Sequence, residues 1–221
     1  DRECRPWLCA DFRDAASGIV GGSGGALHVV TANGAIRSRL PNLGLRSVCS
    51  VQLVGEVGGW MVGDGGLVMQ TEDGGLSWQL PARLNPATAR NEFDFSSVAA
   101  IGKHVWIAGS PGSFVLHSPD AGASWEMQST GQSLPLSAIH FADERRGWAV
   151  GALGKVLATR DGGQTWRPQR AGGARCAVLM VAADPAQISP QVIAQLGGEE
   201  GYLMAIDIIG RRDHLSHTPF A

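Results

Sequence analysis

Apolar and polar positions alternate in short, regular bursts between residues 137 and 167. Ser137 to Phe141 alternates toward one apolar face, Asp143–Arg146 interrupts with polar residues, and Trp148–Val150 is apolar again. Gly151-Ala-Leu-Gly154 breaks that run, Val156–Thr159 resumes it, Asp161-Gly-Gly163 breaks it once more, and Thr165–Arg167 follows. Runs this short, bounded by glycine, suit strands and not helices. The spacing predicts a four-stranded antiparallel meander with tight turns.

The same unit recurs upstream. Thr71-Glu-Asp73-Gly-Gly75-Leu-Ser77-Trp78, Ser118-Pro-Asp120-Ala-Gly122-Ala-Ser124-Trp125 and Thr159-Arg-Asp161-Gly-Gly163-Gln-Thr165-Trp166 share one template. Asp73 and Asp120 are 47 residues apart, and Asp120 and Asp161 are 41 apart. A second block precedes each: Gly59-Trp60-Met-Val-Gly63, Val105-Trp106-Ile-Ala-Gly109 and Gly147-Trp148-Ala-Val-Gly151. A worn copy lies further upstream, in Ile19-Val20-Gly21 and Val29-Val30-Thr31-Ala-Asn33-Gly34, where Asn33 replaces the aspartate and no tryptophan follows. Repetition at this period means stacked copies of one supersecondary unit.

Each residue of the octapeptide has a structural use. The aspartate accepts hydrogen bonds from the turn it opens, the glycine takes a positive φ, and the tryptophan buries a large ring. One four-stranded sheet cannot bury both its faces alone, so the copies must stack radially as the blades of a β-propeller. The fold class expected is all-β, with four repeats near 16–45, 46–94, 95–135 and 136–170 inside a propeller unit spanning 1–170.

The octapeptides resemble the Asp-box, or BNR, repeat of sialidases and related propellers. With the Gly-Trp-x-Val-Gly block ahead of them, they are more similar to the photosystem II stability/assembly factor type of BNR propeller. That resemblance covers roughly Ala16 to Arg170. Many non-photosynthetic bacterial proteins carry the same repeat, so the resemblance is a fold label more than a function. Propellers of that type are expected to have about seven blades. Four visible repeats therefore point to a piece of a larger ring, with a four-bladed ring or two associated copies as alternatives. A chain starting at Asp1 without methionine or leader agrees with an excerpt of a longer polypeptide.

Composition narrows the function classes. Glycine supplies 31 of 221 residues, as a turn-rich fold requires, and the formal net charge is −2. Without a basic excess the chain is no electrostatic nucleic-acid binder. The longest apolar run, Cys176–Ala183, falls far short of the ~20 residues needed to cross a bilayer. Cys4, Cys9, Cys49 and Cys176 include no C-x-x-C pair and read as ordinary thiols, with a Cys4–Cys9 bridge as the alternative. No residue pattern fixes the compartment.

A meander also sorts its loops. Turns between strands 1–2 and 3–4 share one face, which carries the boxes with Arg145 and Arg146. Turns 2–3 and the connectors 4–1 share the opposite face, where propellers commonly bind. Arg83, Arg90 and Asn91, on the connector Gln79 to Asn91, are the candidate partner contacts. No catalytic, cofactor or metal set is expected. The box aspartates sit on separate blades, and His28, His104, His117 and His140 lack ligand spacing. Tyr202 lies outside the repeats, where a sialidase-like site would need a tyrosine nucleophile. Phe12-Arg13 is a poor fragment of the Phe-Arg-Ile-Pro motif of that family.

After Arg170 the pattern stops. Residues 171–221 read as a β-α-β-like segment: the apolar run Cys176–Ala183, a helix start at Ser189-Pro190, and the run Leu203–Ile209. The strand ending Ala183-Asp184-Pro185 faintly resembles the first strand of LmbE/PIG-L-type deacetylases, but it lacks their histidine and aspartate pair. The function expected is a non-catalytic interaction or scaffold propeller that docks a protein partner through the 2–3 and 4–1 loop face. The alternative is the accessory propeller of a larger hydrolase with its active site past residue 221, and a sialidase-like glycosidase is more remote.

Overall fold

Glycine turns cut the chain into strands that can pair only with their neighbours in sequence. A computed structural model describes residues 6–37, 46–81, 84 and 93–171. Blade 1 contains β1 (Trp7–Phe12), β2 (Gly18–Gly22), β3 (Leu27–Thr31) and β4 (Gly34–Arg37). Blade 2 contains β5 (Val48–Val54), β6 (Gly58–Gly63) and β7 (Leu67–Thr71). Blade 3 contains β8 (Asp94–Ile101), β9 (His104–Ser110), β10 (Ser113–Ser118) and β11 (Glu126–Gln132). Blade 4 contains β12 (Leu136–Phe141), β13 (Gly147–Gly151), β14 (Lys155–Thr159) and β15 (Arg167–Ala171). Each is an antiparallel sheet with its strands in chain order. The fourth strand of blade 2 is reduced to one bridge, Gln70 to Gln79.

All four blades carry a register shift at one place in their first strand: between Trp7 and Cys9, Val48 and Ser50, Phe95 and Ser97, and Leu136 and Ala138. Such an extra residue bends a strand and raises its twist. It also makes positions comparable, so that Trp7, Val48, Phe95 and Leu136 are equivalents. The first blade therefore begins nine residues ahead of Ala16, where the sequence repeat becomes readable. In blade 4 the last strand starts at Arg167, because Thr165 is still held in the box turn by the Asp161 carboxylate.

The apolar cores lie between blades. Ile19, Leu27 and Val29 of blade 1 pack on Val51, Met61 and Trp78 of blade 2. Trp60 and Val62 meet Phe95, Ile107 and Leu116. Trp106 and Val115 meet Phe141, Leu157 and Trp166. Among the described residues there is no corresponding core between blades 4 and 1, so the four blades form an arc that is not closed.

First strands β1, β5, β8 and β12 lie side by side without sharing a sheet, which leaves their edge amides to be satisfied by other means. Side chains of the preceding blade do this. The Asp11 carboxylate accepts the Leu53 N–H at 2.6 Å. Gln52, at the equivalent position, accepts the Ala100 N–H at 2.7 Å and donates to the Ala100 carbonyl. The Ser50 hydroxyl accepts the Val98 N–H, and Ser97 accepts that of Ile139, each at 3.2 Å.

No helix among the described residues is long and apolar enough to cross a membrane. The segment read over 171–221, Ala171 apart, lies outside the described residues, as do Cys4 and Cys176.

Interblade packing gives a direct test. Trp106 is fully buried, stacks on Phe141 with centroids 3.7 Å apart, and donates its Nε1 hydrogen to the Gly162 carbonyl. Trp106→Ala should lower unfolding free energy by about 3–5 kcal/mol, the range for large buried aromatics. Gln52→Ala, which strands the Ala100 amide, should cost about 1–3 kcal/mol. Urea unfolding of each variant checks both values.

Candidate functional site

The three octapeptides fold alike. In the first, the Thr71 hydroxyl donates to Asp73 Oδ1 and accepts the Gly75 N–H, both at 2.9 Å. Asp73 Oδ1 also accepts the Ser77 N–H at 2.8 Å, while Oδ2 takes the Ser77 hydroxyl. Ser118, Asp120, Gly122 and Ser124 repeat this set, as do Thr159, Asp161, Gly163 and Thr165. Trp78 and Trp125 donate their Nε1 hydrogens to the Gly75 and Gly122 carbonyls. In the third box the Gly162 carbonyl serves Trp106, and Trp166 Nε1 is buried without a partner.

Both oxygens of each box aspartate are thus occupied within its own turn. Hydrogen bonds from Ser124 first, then Ser118, hold the Asp120 carboxyl below the ordinary range. Burial pushes Asp73 and Asp161 the other way, but the Ser77 and Thr165 hydrogen bonds outweigh it and both are lowered. Among the described residues no cluster of three histidine, cysteine or acidic side chains is placed to hold a metal. The arrangement offers no free base and no convergent acid pair.

Instead, the box is a joint. Gly122 has φ +87°, and a Cβ there would lie 2.6 Å from Trp60 Cη2 of the preceding blade. Trp125 completes the contact edge-on to Trp60 at 5.7 Å. In the same way Gly75 approaches Ile19, and the third box sits on Trp106. Gly74 N–H donates to the Val57 carbonyl, Ala121 to Lys103 and Gly162 to Arg145, which puts boxes and 1–2 turns on one face. Arg13 adds a cross-blade tie there, donating to the Gly55 and Gly58 carbonyls at 3.1 Å.

Sequence reasoning missed one cluster. His104 and His117, 13 residues apart, meet with Nδ1 and Nε2 at 3.0 Å. His117 Nδ1 lies 2.9 Å from Glu126 Oε1, which also accepts from Gln128 Nε2. The Trp106 ring stacks beside both histidines. The signal is in the register: Trp106 pairs with His117 across β9–β10, and His117 with Glu126 across β10–β11. Burial pushes His117 below its usual value against the opposing pull of Glu126. With His117 6% exposed and no nucleophile beside it, the cluster is a polar network buried at His117 and open to solvent at Glu126.

The opposite face is built differently. Asp64, in the 2–3 turn of blade 2, donates its N–H to the Ser47 carbonyl and accepts the Ser47 N–H. Its other oxygen faces the Cys49 thiol at 3.4 Å. Gly65 and Gly66 donate to Asp94 and to the Phe93 carbonyl of blade 3. Phe93 packs against Phe95 and Phe114, and Leu84 joins the same core, so the connector after β7 is anchored at both residues. Arg83, Arg90 and Asn91 lie on that connector, outside the described residues. Leu80, at 65% exposure, opens it. In the 2–3 turn of blade 4, Leu153 is 66% exposed with φ +61°. Gly24 and Gly65 hold this left-handed position in blades 1 and 2. A bulky residue there is a backbone outlier that costs about 1–2 kcal/mol.

Cys9 and Cys49 are free thiols. Burial pushes each up to about 12, so both stay protonated and unreactive near neutrality.

Short antiparallel blades stapled by aspartate turns define a β-propeller repeat protein, and comparison with known proteins agrees. Residues 42–138 match the family described as photosynthesis system II assembly factor YCF48. The chloroplastic photosystem II stability/assembly factor HCF136 of Oryza sativa subsp. japonica is 30% identical over 113 residues, covering 49% of this chain and 26% of the relative. The photosystem II assembly lipoprotein Ycf48 of Synechococcus sp. (strain CC9902) is 31% identical over the same length, covering 49% of this chain and 32% of the relative. The match thus spans about a quarter to a third of these curated relatives. A solved structure of YCF48 bound to a D1 peptide superposes with a TM-score of 0.50 at 25% identity, covering 56% of this chain and 39% of that one. An ancestral GH74 enzyme superposes at 0.60 over 76% of this chain and 24% of its own, but at 17% identity it shares the fold alone. Over residues 42–138 the Asp-box repeats are similar to those of the photosystem II stability/assembly factor family.

Turn energetics and titration supply two tests. Asp120→Ala should cost about 0.5–2 kcal/mol in urea unfolding. Ala121, with φ +57°, occupies a position that favours glycine, and Ala121→Gly should gain up to ~1 kcal/mol. His117 titrates below 6.5 when folded, so the unfolded chain takes up the proton first. Stability should fall as pH drops below 6.5, and His117→Gln should flatten that limb of the pH–stability curve. The box carboxyls add a further loss as pH falls below 3.8, since their folded values are depressed.

Proposed function

We propose that this chain is a non-catalytic propeller module that docks a protein partner, and that the partner sits on the face of the 2–3 turns and 4–1 connectors. The observation that carries the reading is the similarity of its repeats to YCF48, whose solved structure holds a D1 peptide. The face itself is favoured by Leu153, which is exposed there with a left-handed backbone. On that side Leu80 is exposed as well, and Arg83, Arg90 and Asn91 share the Gln79–Asn91 connector with Leu80 in sequence. Guanidinium and amide groups on the same connector as an aliphatic residue suit an extended segment with a carboxylate or free carbonyls next to an aliphatic residue. Leu153 keeps its strained backbone although glycine would relieve it, as residues retained for contact do.

Titration with the D1 peptide tests the reading. Arg83→Ala combined with Arg90→Ala should weaken binding at least ~10-fold, equivalent to ~1.4 kcal/mol, with the melting temperature unchanged. Leu153→Gly should raise the melting temperature and weaken binding together. Undiminished binding after replacement of the whole connector would remove this face from consideration.

A further inference from the structure

Four dipeptides in this chain place a glycine directly after an aspartate or asparagine: Asn33-Gly34, Asp64-Gly65, Asp73-Gly74 and Asp161-Gly162. In such a pair the glycine nitrogen can approach the side-chain carbonyl carbon, because no Cβ stands in the way. Three of the four are locked at both groups. The carboxylates of Asp73 and Asp161 are held by Thr71 with Ser77 and by Thr159 with Thr165. The following amides are held too, since Gly74 N–H donates to the Val57 carbonyl at 2.8 Å and Gly162 N–H to that of Arg145 at 2.9 Å. Asp64 is engaged by the Ser47 N–H and the Cys49 thiol, and Gly65 N–H donates to Asp94 at 2.9 Å. Asn33 differs at each point. The Thr31 hydroxyl, whose counterparts bond to the box carboxylates, is spent on the Gly34 carbonyl at 3.0 Å and the Asn33 N–H at 3.3 Å. Among the described residues no group bonds to the Asn33 carboxamide. Both Asn33 and Gly34 are exposed, and a Cβ built on Gly34 would meet nothing within 4 Å. Gly34 also opens β4, at the end of its ladder, where local opening costs least.

We propose that Asn33 is a modification site, at which the carboxamide is lost by deamidation through the Gly34 nitrogen. Nucleophile and carbonyl belong to adjacent residues, so the attack is intramolecular and needs no enzyme. The Gly34 nitrogen gives up its proton and bonds to Asn33 Cγ. The Cγ–Nδ2 bond breaks, and Nδ2 leaves as ammonia with that proton, which closes a succinimide ring. Water then opens the ring, its hydroxyl going to a carbonyl carbon and its other hydrogen to the Gly34 nitrogen. Opening at Cγ restores the main chain and yields aspartate. Opening at the Asn33 main-chain carbonyl carbon leaves the chain running through Cγ, as isoaspartate. In sum, one water is consumed and one ammonia released, with no oxidant or reductant. Either product places a carboxylate on the 3–4 turn of blade 1 and makes the net charge one unit more negative than the −2 of the sequence. Isoaspartate also adds a methylene to the main chain between β3 and β4. The ionised, hydrogen-bonded carboxylates at Asp73 and Asp161 resist the same attack. Because this turn belongs to the side that carries the boxes, the modification stands or falls apart from peptide docking on the other face.

Incubation of the purified, folded chain in warm, mildly alkaline buffer tests it, read by isoelectric focusing and peptide mass mapping. An acidic species should accumulate, faster as pH rises, with ammonia released in equal amount. The peptide containing Asn33 should gain the mass of an OH-for-NH2 exchange and accept a methyl group from a protein-isoaspartate methyltransferase. Asn33→Gln, whose longer side chain closes a larger ring slowly, should melt as the wild type does and yield no acidic species. Asn33→Asp should focus with the acidic species from the start. An Asn33 peptide of unchanged mass in the folded chain overturns the proposal, whether or not the chain deamidates there in urea. An acidic species undiminished in Asn33→Gln overturns it too. As much isoaspartate at Asp73 or Asp161 as at Asn33 does the same, since the lock on those turns would then count for nothing.

Discussion

Everything in this arc depends on one contact: the aspartate turn of a blade seated on the second strand of the blade before it. The carboxylate fixes the turn by accepting from its hydroxyl and amide neighbours, and the fixed turn leaves a side-chain-free patch at Gly75, Gly122 or Gly163. Ile19 lies beneath the patch at Gly75, Trp60 beneath Gly122 and Gln128 beneath Gly163, where Trp106 instead holds the neighbouring Gly162 carbonyl. The box tryptophan then covers what remains. A repeated aspartate in this protein is a repeated joint, and the acid is ionised because its hydrogen bonds demand it, not because a reaction does.

That joint divides labour between the two sides of the arc. Around the boxes, turn amides bond to neighbouring carbonyls, and Arg13 ties blade 1 to blade 2. At the centre, Asp11, Ser50, Gln52 and Ser97 satisfy strand edges that no sheet neighbour reaches. The third region, the 2–3 turns with the connectors, carries exposed Leu80 and Leu153, the latter with a left-handed backbone, while the box side carries exposed Leu76 and Val57.

The periodic part of this architecture was legible in the sequence, and the aperiodic part was not. Boxes and Gly-Trp blocks announce strands two to four of three blades because each needs fixed residue types at fixed turns. First strands carry no such signature. Trp7–Phe12 has neither a box nor a Gly-Trp pair, so its blade was read only from Ala16 onward. The polar girdle escaped notice because its members, an aspartate, a glutamine and two serines, share a position but not a side chain. His104, His117 and Glu126 escaped because strand register, and not spacing along the chain, brings them together.

Arrays of stacked repeats draw their stability from nearest-neighbour interfaces. Phe12 and Trp7 hold positions whose counterparts are core residues, and Trp148 keeps the tryptophan that elsewhere sits under a box. Degeneration has removed the box from blade 1, with Asn33 in place of the aspartate, yet its leading face has kept large apolar side chains. Among the described residues, blades 1 and 4 therefore both retain the chemistry of interior blades.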